Sequence, residues 1–216
     1  MHKDLILVGK QGSGKGTQAK ILAKKLGFKI FETGAALRNI AQQDTPLGRE
    51  VLDITSRGDL VSNDIVMQIV EDFLNELEEN TPVIFDGIPR SEVQRQSLED
   101  LLNKNSRDFL VIEIKLSNEE ALNRLLIRAK CNDCGANFGS PEDVCPKCGS
   151  LNISRRKDDN PEAIMNRLKN FDEYTFPLLE EWDKAGKLIS VDGEQSVEKV
   201  SEDILSSLEN SSETES

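Results

Sequence analysis

Gly9-Lys10-Gln11-Gly12-Ser13-Gly14-Lys15-Gly16-Thr17 is the stretch that decides the fold of this chain. An apolar run at Leu5–Val8 predicts a buried strand before it, and Gln18–Leu26 predicts a helix after it. Strand, glycine-rich loop and helix in this order are the context of a phosphate-binding loop. The glycines let successive backbone N–H groups turn toward one centre at a helix N-terminus, and Lys15 adds a positive charge for phosphates. We therefore predict a phosphate site here, rather than a turn without a ligand.

The length and charge of the chain limit the classes of protein to consider. The length of 216 residues suits one α/β domain with insertions. The chain carries 39 acidic and 27 basic side chains, which gives a net charge of -12. Such a surface repels nucleic acid and anionic membranes, so we expect neither as a partner. No apolar run approaches the ~20 residues of a membrane span, and the N-terminus lacks a signal-peptide core. We expect a cytoplasmic protein, and a monomer, since nothing in the pattern demands a partner interface.

All four cysteines fall in one short segment, with the spacing Cys131-x2-Cys134-x10-Cys145-x2-Cys148. Each pair is followed by a glycine, Gly135 or Gly149, which allows the tight turn that directs two thiolates at one metal ion. Four sulfur ligands suit a tetrahedral structural Zn²⁺ without an open position for catalysis. The distribution also favours a metal in a reducing compartment over a disulfide framework. We predict a zinc site at these four cysteines.

Strand and helix signals alternate along the rest of the chain. Further strands are predicted at Lys29–Glu32, Pro82–Phe85, Phe109–Leu116 and Leu188–Val191. Strands separated by helices indicate a parallel sheet covered on both faces, in which ligands bind beyond the carboxyl ends of the strands. We therefore expect Gly9–Thr17, Thr33-Gly34, Asp86–Arg90 and Asp192-Gly193 to meet at one edge of the sheet.

Helix-start signals place the helices between these strands. Thr45-Pro46 and Ser62 predict two helix starts in an insertion of three helices after the second strand. Ser117–Glu120 predicts a capping box for a helix that runs to about Ala129. Asn160-Pro161 opens one long helix that ends at Gly186, and the last helix is expected to end at Leu208. The polar residues 209–216 are expected to be disordered.

Asp86-Gly87-Ile88-Pro89-Arg90 is a second informative motif. An acidic residue at the end of an apolar strand, beside a phosphate loop, is placed to hold Mg²⁺ directly or through its waters. Pro89 stiffens the turn that presents Arg90. A strand-terminating turn without this function would have the same sequence pattern. The motif therefore supports a magnesium site only in combination with other motifs of the chain.

Together these motifs resemble the adenylate kinase family of nucleoside monophosphate kinases, and the resemblance covers residues 3–208. The matching segments are Gly12–Gln18, Thr33-Gly34-x-x-Leu37-Arg38, Asp86-Gly87-x-Pro89-Arg90 with Gln94, Arg124 and Arg128, Arg156-Lys157-Asp158-Asp159, Arg167, and Val191-Asp192-Gly193 with Gln195. The family implies a P-loop three-layer α/β/α fold with a five-stranded parallel sheet, a helical insert that binds the nucleoside monophosphate (NMP), and a zinc-ribbon lid. The implied division is core at 1–32, 63–124 and 161–208, insert at 33–62, lid at 125–160 and tail at 209–216.

The resemblance implies the reaction ATP + AMP ⇌ 2 ADP, with Mg²⁺ as cofactor and a structural Zn²⁺ in the lid. The catalytic residues it implies are Lys15, Asp86, Arg90, Arg128, Arg156, Asp158, Asp159 and Arg167. The ATP site is implied to contain Gly12, Ser13, Gly14, Lys15, Gly16, Thr17, Arg124, Arg128, Asn137, Phe138 and Gln195. The AMP site is implied to contain Thr33, Gly34, Arg38, Asp59, Leu60, Val61, Gly87, Arg90, Gln94, Arg156 and Arg167.

Some positions depart from the family pattern. Gln11 replaces a proline, Ala35 an acidic residue, Ile88 an aromatic residue and Ala129 an arginine. A kinase for another nucleoside monophosphate stays open, and Ala35 and Gln11 leave open a nucleotide sensor without turnover. A third alternative is an ATP-binding protein whose zinc ribbon binds nucleic acid, supported only by Lys130, Lys147, Arg155, Arg156 and Lys157 near the cysteines. A GTPase is disfavoured because the chain has no Asn-Lys-x-Asp segment.

Overall fold

The computed structural model describes residues 3–139, 144–155 and 159–213. Within these residues, strands β1 (Asp4–Val8), β2 (Lys29–Glu32), β3 (Val83–Asp86), β4 (Phe109–Lys115) and β8 (Leu188–Asp192) form one parallel sheet in the order β2-β3-β1-β4-β8. The predicted five-stranded parallel sheet is confirmed. Strands β2 and β3 lie on one side of β1, and β4 and β8 lie on the other, so the strand order reverses at β1. The carboxyl end of β1 is therefore a topological switch point, the usual place for a ligand.

Side chains of the central strand alternate between two cores, as a doubly covered strand requires. Ile6 and Val8 pack in one core with Phe85, while Leu5 and Leu7 pack in the other with Ile112. Helix α1 (Lys15–Leu26) and helix α9 (Val197–Glu213) cover the second core. Helices α2 (Thr33–Ala41), α3 (Pro46–Ser56), α4 (Asn63–Asn75) and α5 (Glu92–Lys104) cover the first. Among the helices of the described ranges, none is both long enough and apolar enough to cross a bilayer.

A small antiparallel sheet carries the cysteine segment. It contains β5 (Arg128–Cys131), β6 (Asn137–Gly139) and β7 (Ile153–Ser154), with β5 in the centre. Helix α6 (Asn118–Leu126) leads into it, so the chain changes from helix to strand at Arg128 and not after Ala129 as predicted. The pairing of Ala129 with Phe138 accounts for this difference, because β5 extends the ladder back to Arg128.

Several helix caps agree with the sequence signals, and two do not. Thr45 Oγ1 accepts a hydrogen bond from Gly48 N at 3.0 Å, with Pro46 in the first helical position. Ser62 precedes α4 without a side-chain cap bond. At α6 only half of the capping box forms: Ser117 Oγ accepts from Glu120 N, but Ser117 N donates to Glu194. The Glu120 carboxylate instead accepts from Arg124 at 2.7 Å.

The long helix predicted from Asn160 to Gly186 is interrupted. Helix α7 (Pro161–Asn170) continues as a π-helical turn (Phe171–Thr175), and α8 (Leu178–Lys184) follows. Pro177 has no N–H and its ring crowds the preceding turn, which disfavours a regular helix here. Phe176 N donates to Phe171 O at 2.8 Å, the wider bond of a π turn. At the other end of the chain, α9 continues to Glu213, past the predicted end at Leu208.

Candidate active site

A cleft of about 950 Å³ lies at the carboxyl ends of β1, β2 and β3. Most of the predicted site residues line it: Gly12, Gly14, Lys15, Gly16, Thr17, Thr33, Gly34, Arg38, Asp59, Leu60, Val61, Asp86, Gly87, Arg90, Gln94, Arg124, Arg128, Asn137, Phe138, Arg167 and Gln195. Ser13 is buried within the loop, and the Asp159 side chain is only 3% exposed. Arg156 and Asp158 lie outside the described residues. The fold thus gathers segments far apart in sequence around one cleft.

The phosphate loop holds Lys15 by its own backbone. Lys15 Nζ donates to Gly9 O at 2.6 Å and to Lys10 O at 2.9 Å, so the ammonium lies at the centre of the loop. The pKa of Lys15 falls from 10.5 to about 8, chiefly because of burial, with Asp86 opposing the shift and the positive charges of Arg90 and Arg128 adding to it. A buried cation near several arginines is electrostatically costly unless an anion joins it.

Asp86 ends β3 next to this lysine. Its carboxylate is buried, and burial raises the pKa of Asp86, with Glu32 raising it further while Lys15 and Arg90 lower it. A Cβ atom added at Gly16 would lie 3.2 Å from Asp86 Oδ2. The carboxylate therefore faces the first turn of α1, directly beside the phosphate loop.

Arg38 and Arg90 line the cleft beside Gly34 and Gly87. Arg38 Nη2 forms an ion pair with Glu32 Oε1 at 3.0 Å, and Arg90 Nε donates to Gly87 O at 2.8 Å. Gln94 Oε1 accepts from Arg90 N at 2.9 Å, so the amide braces the arginine's backbone. Two forked guanidinium groups beside a buried amide can hold a phosphate and the edge of a base.

Thr33 lies next to this pair and is 3% exposed. Its Oγ1 is buried and has no hydrogen-bond partner among the described residues. It lies opposite Gly87, where an added Cβ would come within 3.7 Å of the hydroxyl oxygen. A hydroxyl in this position is available to a ligand in the cleft.

Arg128 and Arg167 both bind one buried carboxylate, that of Asp159. Arg128 Nε and Nη2 donate to the two oxygens of Asp159 at 2.8 and 2.5 Å, and Arg167 Nη1 donates to Oδ1 at 3.3 Å. Asp159 does not line the cleft. Its carboxylate aligns two arginines that come from β5 and α7, which places it in support of the site and not at its surface.

The loop after β8 closes the phosphate-loop side. Arg124 Nη1 donates to Gly193 O at 3.0 Å and to Gly12 O at 3.4 Å, which ties this loop to the phosphate loop through α6. Gln195 Nε2 donates to Asp192 O and to Asp203, each at 3.1 Å. Phe138, half-buried on β6, lines the same cleft.

Glu32, Lys147 and Thr175 also contribute to the site, although none of them belongs to the sequence-predicted set. Glu32 ends β2 and pairs with Arg38, and its position directly before Thr33-Gly34 at a strand end could have identified it. Lys147 reaches the cleft from the cysteine segment. Thr175 Oγ1 donates to Arg90 O at 3.0 Å from the π turn, and no sequence signal marks it because that turn was not predicted.

The four cysteines form one cluster. All four Sγ atoms lie within 4.8 Å of one another, and the pairs Cys131–Cys148 and Cys134–Cys145 are each separated by 3.6 Å. Tetrahedral zinc with Zn–S bonds of about 2.3 Å requires neighbouring sulfurs about 3.8 Å apart, whereas a disulfide requires about 2 Å. The donor set and its spacing fit zinc.

The two cysteine turns share one construction. Gly135 N donates to Cys131 O at 3.0 Å, and Gly149 N donates to Cys145 O at 2.9 Å. Both glycines have positive φ, 69° and 72°, which side chains disfavour. Backbone N–H groups of Cys134 and Asp133 lower the pKa of the Cys131 thiol to about 6, which favours the thiolate that binds metal.

The sequence of this chain is similar to those of known adenylate kinases. The model of the adenylate kinase family matches residues 7–187. The adenylate kinase of Chlamydia muridarum (strain MoPn / Nigg) is 34% identical over 225 residues, covering 97% of this chain and 88% of the relative. That of Erythrobacter litoralis (strain HTCC2594) is 34% identical, covering 91% and 95%, and that of Geobacillus sp. (strain WCH70) is 36% identical, covering 93% and 96%. With a matching fold, cleft and phosphate loop, the chain belongs to the adenylate kinase family, a family of phosphotransferases.

Proposed function

We propose that this phosphotransferase moves the terminal phosphoryl group of ATP to AMP, with Mg²⁺, and gives two ADP. The observation that carries the proposal is the arrangement of cations in one cleft. Lys15 of the phosphate loop, Arg38, Arg90, Arg128 and Arg167 all line this cleft, and the charges of Arg90 and Arg128 act on Lys15. Several cationic groups around one cleft suit phosphoryl transfer between two nucleotides, because that reaction needs positioning and charge neutralisation of several phosphates.

The donor phosphates bind at the loop in this proposal. Backbone N–H groups at the start of α1 donate hydrogen bonds to the phosphate oxygens, and Lys15 exchanges its bonds to Gly9 O and Lys10 O for bonds to phosphate oxygens. The lowered pKa of Lys15 measures how unfavourable its present surroundings are for a charge. An anion there relieves that cost and restores the ammonium.

Asp86 would hold the magnesium ion, directly or through its waters. Its buried carboxylate beside the loop is the hard oxygen donor that Mg²⁺ prefers. Held there, Mg²⁺ would supply positive charge that offsets the charge developing on the phosphates. Ala35 leaves one carboxylate fewer near this position than the family pattern has.

The acceptor binds between Arg38 and Arg90. Their guanidinium groups grip the acceptor phosphate, and the Thr33 hydroxyl with the Gln94 amide faces the base. An amide can donate and accept at once, which suits the adenine edge and favours AMP over other monophosphates.

The transferred group lies between the two nucleotides, where Arg128 and Arg167 neutralise the charge that spreads over its oxygens. Asp159 holds both guanidiniums in fixed orientations, so little reorganisation is needed when transfer occurs. The cysteine cluster would hold a structural zinc ion that organises β5, and with it Arg128.

One experiment tests the proposal. A coupled assay measures ADP formation from ATP with AMP, GMP, CMP or UMP, each with and without Mg²⁺. We expect turnover with AMP that depends on Mg²⁺ and a specificity constant for AMP at least ~10²-fold above that for the other monophosphates. Equal rates with another monophosphate would reassign the acceptor, and no turnover with any of them would contradict a catalytic function.

A further inference from the structure

The turn after α3, residues 55–59, lies on the side of α7. Three asparagines of α7 and its N-cap direct their amide groups at this turn. Asn160 Nδ2 donates to Ser56 O at 3.4 Å, Asn166 Nδ2 to Arg57 O at 2.9 Å, and Asn170 Nδ2 to Gly58 O at 3.2 Å. The accepting groups are successive carbonyls at the C-terminal end of a helix.

The last carbonyls of a helix have no partner within the helix and need one from elsewhere. Here α7 supplies the donors across more than 100 residues of sequence, since Asn166 and Arg57 are 109 positions apart. Arg167 adds a longer contact, from Nη2 to Thr55 O at 3.5 Å. The α3 end is therefore capped by another helix, and its position is tied to that helix.

Steric fit supports the same contact. A Cβ atom added at Gly58 would lie 2.5 Å from Ala163 O, closer than real Cβ contacts allow. Gly58 also has φ of 77°, a conformation that side chains disfavour. The turn therefore rests directly on the backbone of α7, and only glycine permits that approach.

The Asn166 amide also binds the side chain of Asp59, the last residue of the turn. Asn166 Nδ2 also donates to Asp59 Oδ1 at 2.7 Å, while Arg57 Nε holds Asp59 Oδ2 at 3.0 Å. These hydrogen bonds lower the pKa of Asp59, Arg57 first and Asn166 second, so the carboxylate stays ionised. Asn166 thus bonds both the backbone and a side chain of the turn.

We infer that Asn166, with Asn160 and Asn170, is a positioning residue that latches residues 55–59 onto α7 and so pre-organises the acceptor side of the cleft. Thr55, Gly58 and Asp59 line the cleft from the turn, and Arg167 and Asn170 line it from α7. The inference rests on the proposed function for the identity of the acceptor. A site that is already assembled binds its ligand more tightly than one that must be assembled first.

The test compares Asn166→Ala with Asn123→Ala. Asn123 is exposed on α6 and its side chain has no hydrogen bond to another described residue, so it undergoes the same chemical change without altering the contacts between α7 and residues 55–59. Alanine favours the helix more than asparagine, so a loss in Asn166→Ala does not come from a weaker α7. Hydrogen exchange of peptides covering residues 55–61 and steady-state kinetics are measured on both.

In Asn166→Ala we expect KM for AMP to rise about 5- to 25-fold, since two hydrogen bonds are lost and each contributes up to about fivefold. KM for ATP should stay within about twofold, because the phosphate loop is untouched. Exchange at 55–61 should become faster in the nucleotide-free protein. An unchanged KM for AMP with unchanged exchange would overturn the latch, and a lower KM for AMP would show that the contact opposes binding.

Two further variants separate positioning from folding. Asn166→Asp keeps the size of the side chain but brings a second carboxylate to Asp59, so its effect should exceed that of alanine. Adding Asp59→Asn restores a donor and an acceptor across the contact and should recover part of the loss. If wild-type protein itself fails to use AMP, the proposed acceptor is wrong, and the exchange data alone then decide the latch.

Discussion

Gly16 lies against the carboxylate of Asp86 at the first turn of α1, and this contact explains a departure from the general phosphate-loop motif. Ser or Thr is usual after the lysine, but a Cβ at this position would be 3.2 Å from Asp86 Oδ2. The smaller residue lets a buried acid stay beside the loop, where it also raises the pKa of Lys15 against the larger effect of burial. Gln11 has no comparable explanation: its Oε1 is buried without a hydrogen-bond partner among the described residues.

Arg90 is the residue whose removal should cost most on the acceptor side. We expect Arg90→Ala to lower kcat at least ~10²-fold, since one group that neutralises charge in such a site contributes on that order. Arg90→Lys should restore little, because the ammonium cannot reproduce the fork. Arg49→Ala, which removes an exposed arginine paired with Asp44, is the control and should keep wild-type kinetics. Wild-type turnover in Arg90→Ala would remove Arg90 from the site.

The lowered pKa of Lys15 predicts how ATP affinity depends on pH. Below pH 8 the ammonium is present and binds phosphate, whereas above pH 8 the nucleotide-free protein carries a neutral amine that must first gain a proton. The dissociation constant for ATP should therefore rise about tenfold between pH 7 and pH 9, as calorimetry would measure. AMP affinity should change little, because arginines stay charged throughout. ATP affinity that is flat to pH 9.5 would contradict the shifted lysine.

At the scale of elements, the small antiparallel sheet of the cysteine segment (the ribbon sheet) and the π turn both position residues of the site. The ribbon sheet sets the position of β5, whose first residue is Arg128. The π turn places Thr175 against the backbone of Arg90, and a regular helix would direct that side chain elsewhere. Lys10 of the phosphate loop also reaches the turn, with Nζ 3.5 Å from Asp172 Oδ1. Irregular elements here position arginines and the loop.

Zinc removal should loosen the ribbon before the core. Native mass spectrometry should find one zinc ion per chain in the parent protein, and Cys145→Ser should lose it, because a buried ligand of the set is gone. Hydrogen exchange over 128–139 should rise while the parallel sheet stays protected, since few apolar contacts hold the ribbon. Val144→Ser, at the exposed neighbour of Cys145, should keep the metal. An equally protected and active metal-free protein would show that zinc is dispensable.

At the scale of the whole molecule, α7 supports both parts of the chain that surround the cleft. Arg167 and Asp159 connect it to Arg128 of the ribbon sheet, and its asparagines connect it to the turn after α3. Neither connection involves the core sheet. A change on one side of α7 can therefore alter the position of the other, which fits a reaction that needs both nucleotides in place before transfer.

Local signals predicted the parts of this protein that depend on a few neighbouring residues. The phosphate loop, the strands, the Thr45-Pro46 cap and the two cysteine turns follow from residue type and spacing within a short window. The single long helix was wrong because Pro177 acts on the preceding turn, and the capping box was half wrong because Glu194, distant in sequence, competes for Ser117 N. Asp159, expected in the site, does not line the cleft and instead holds Arg128 through a buried ion pair.

The amino-acid sequence by itself determined the chemistry available here: a lysine in a glycine loop, an acid and an arginine after a buried strand, and four thiols at metal spacing. Only the tertiary structure decided which of these groups face one cleft, what lowers the pKa of Lys15, and which helix holds the α3 turn. The physical reason is the separation along the chain over which each kind of interaction acts. Propensities, caps and turns act over a few residues, whereas burial, charge proximity and the asparagine contacts on α7 depend on strand order and helix packing across more than 100 residues.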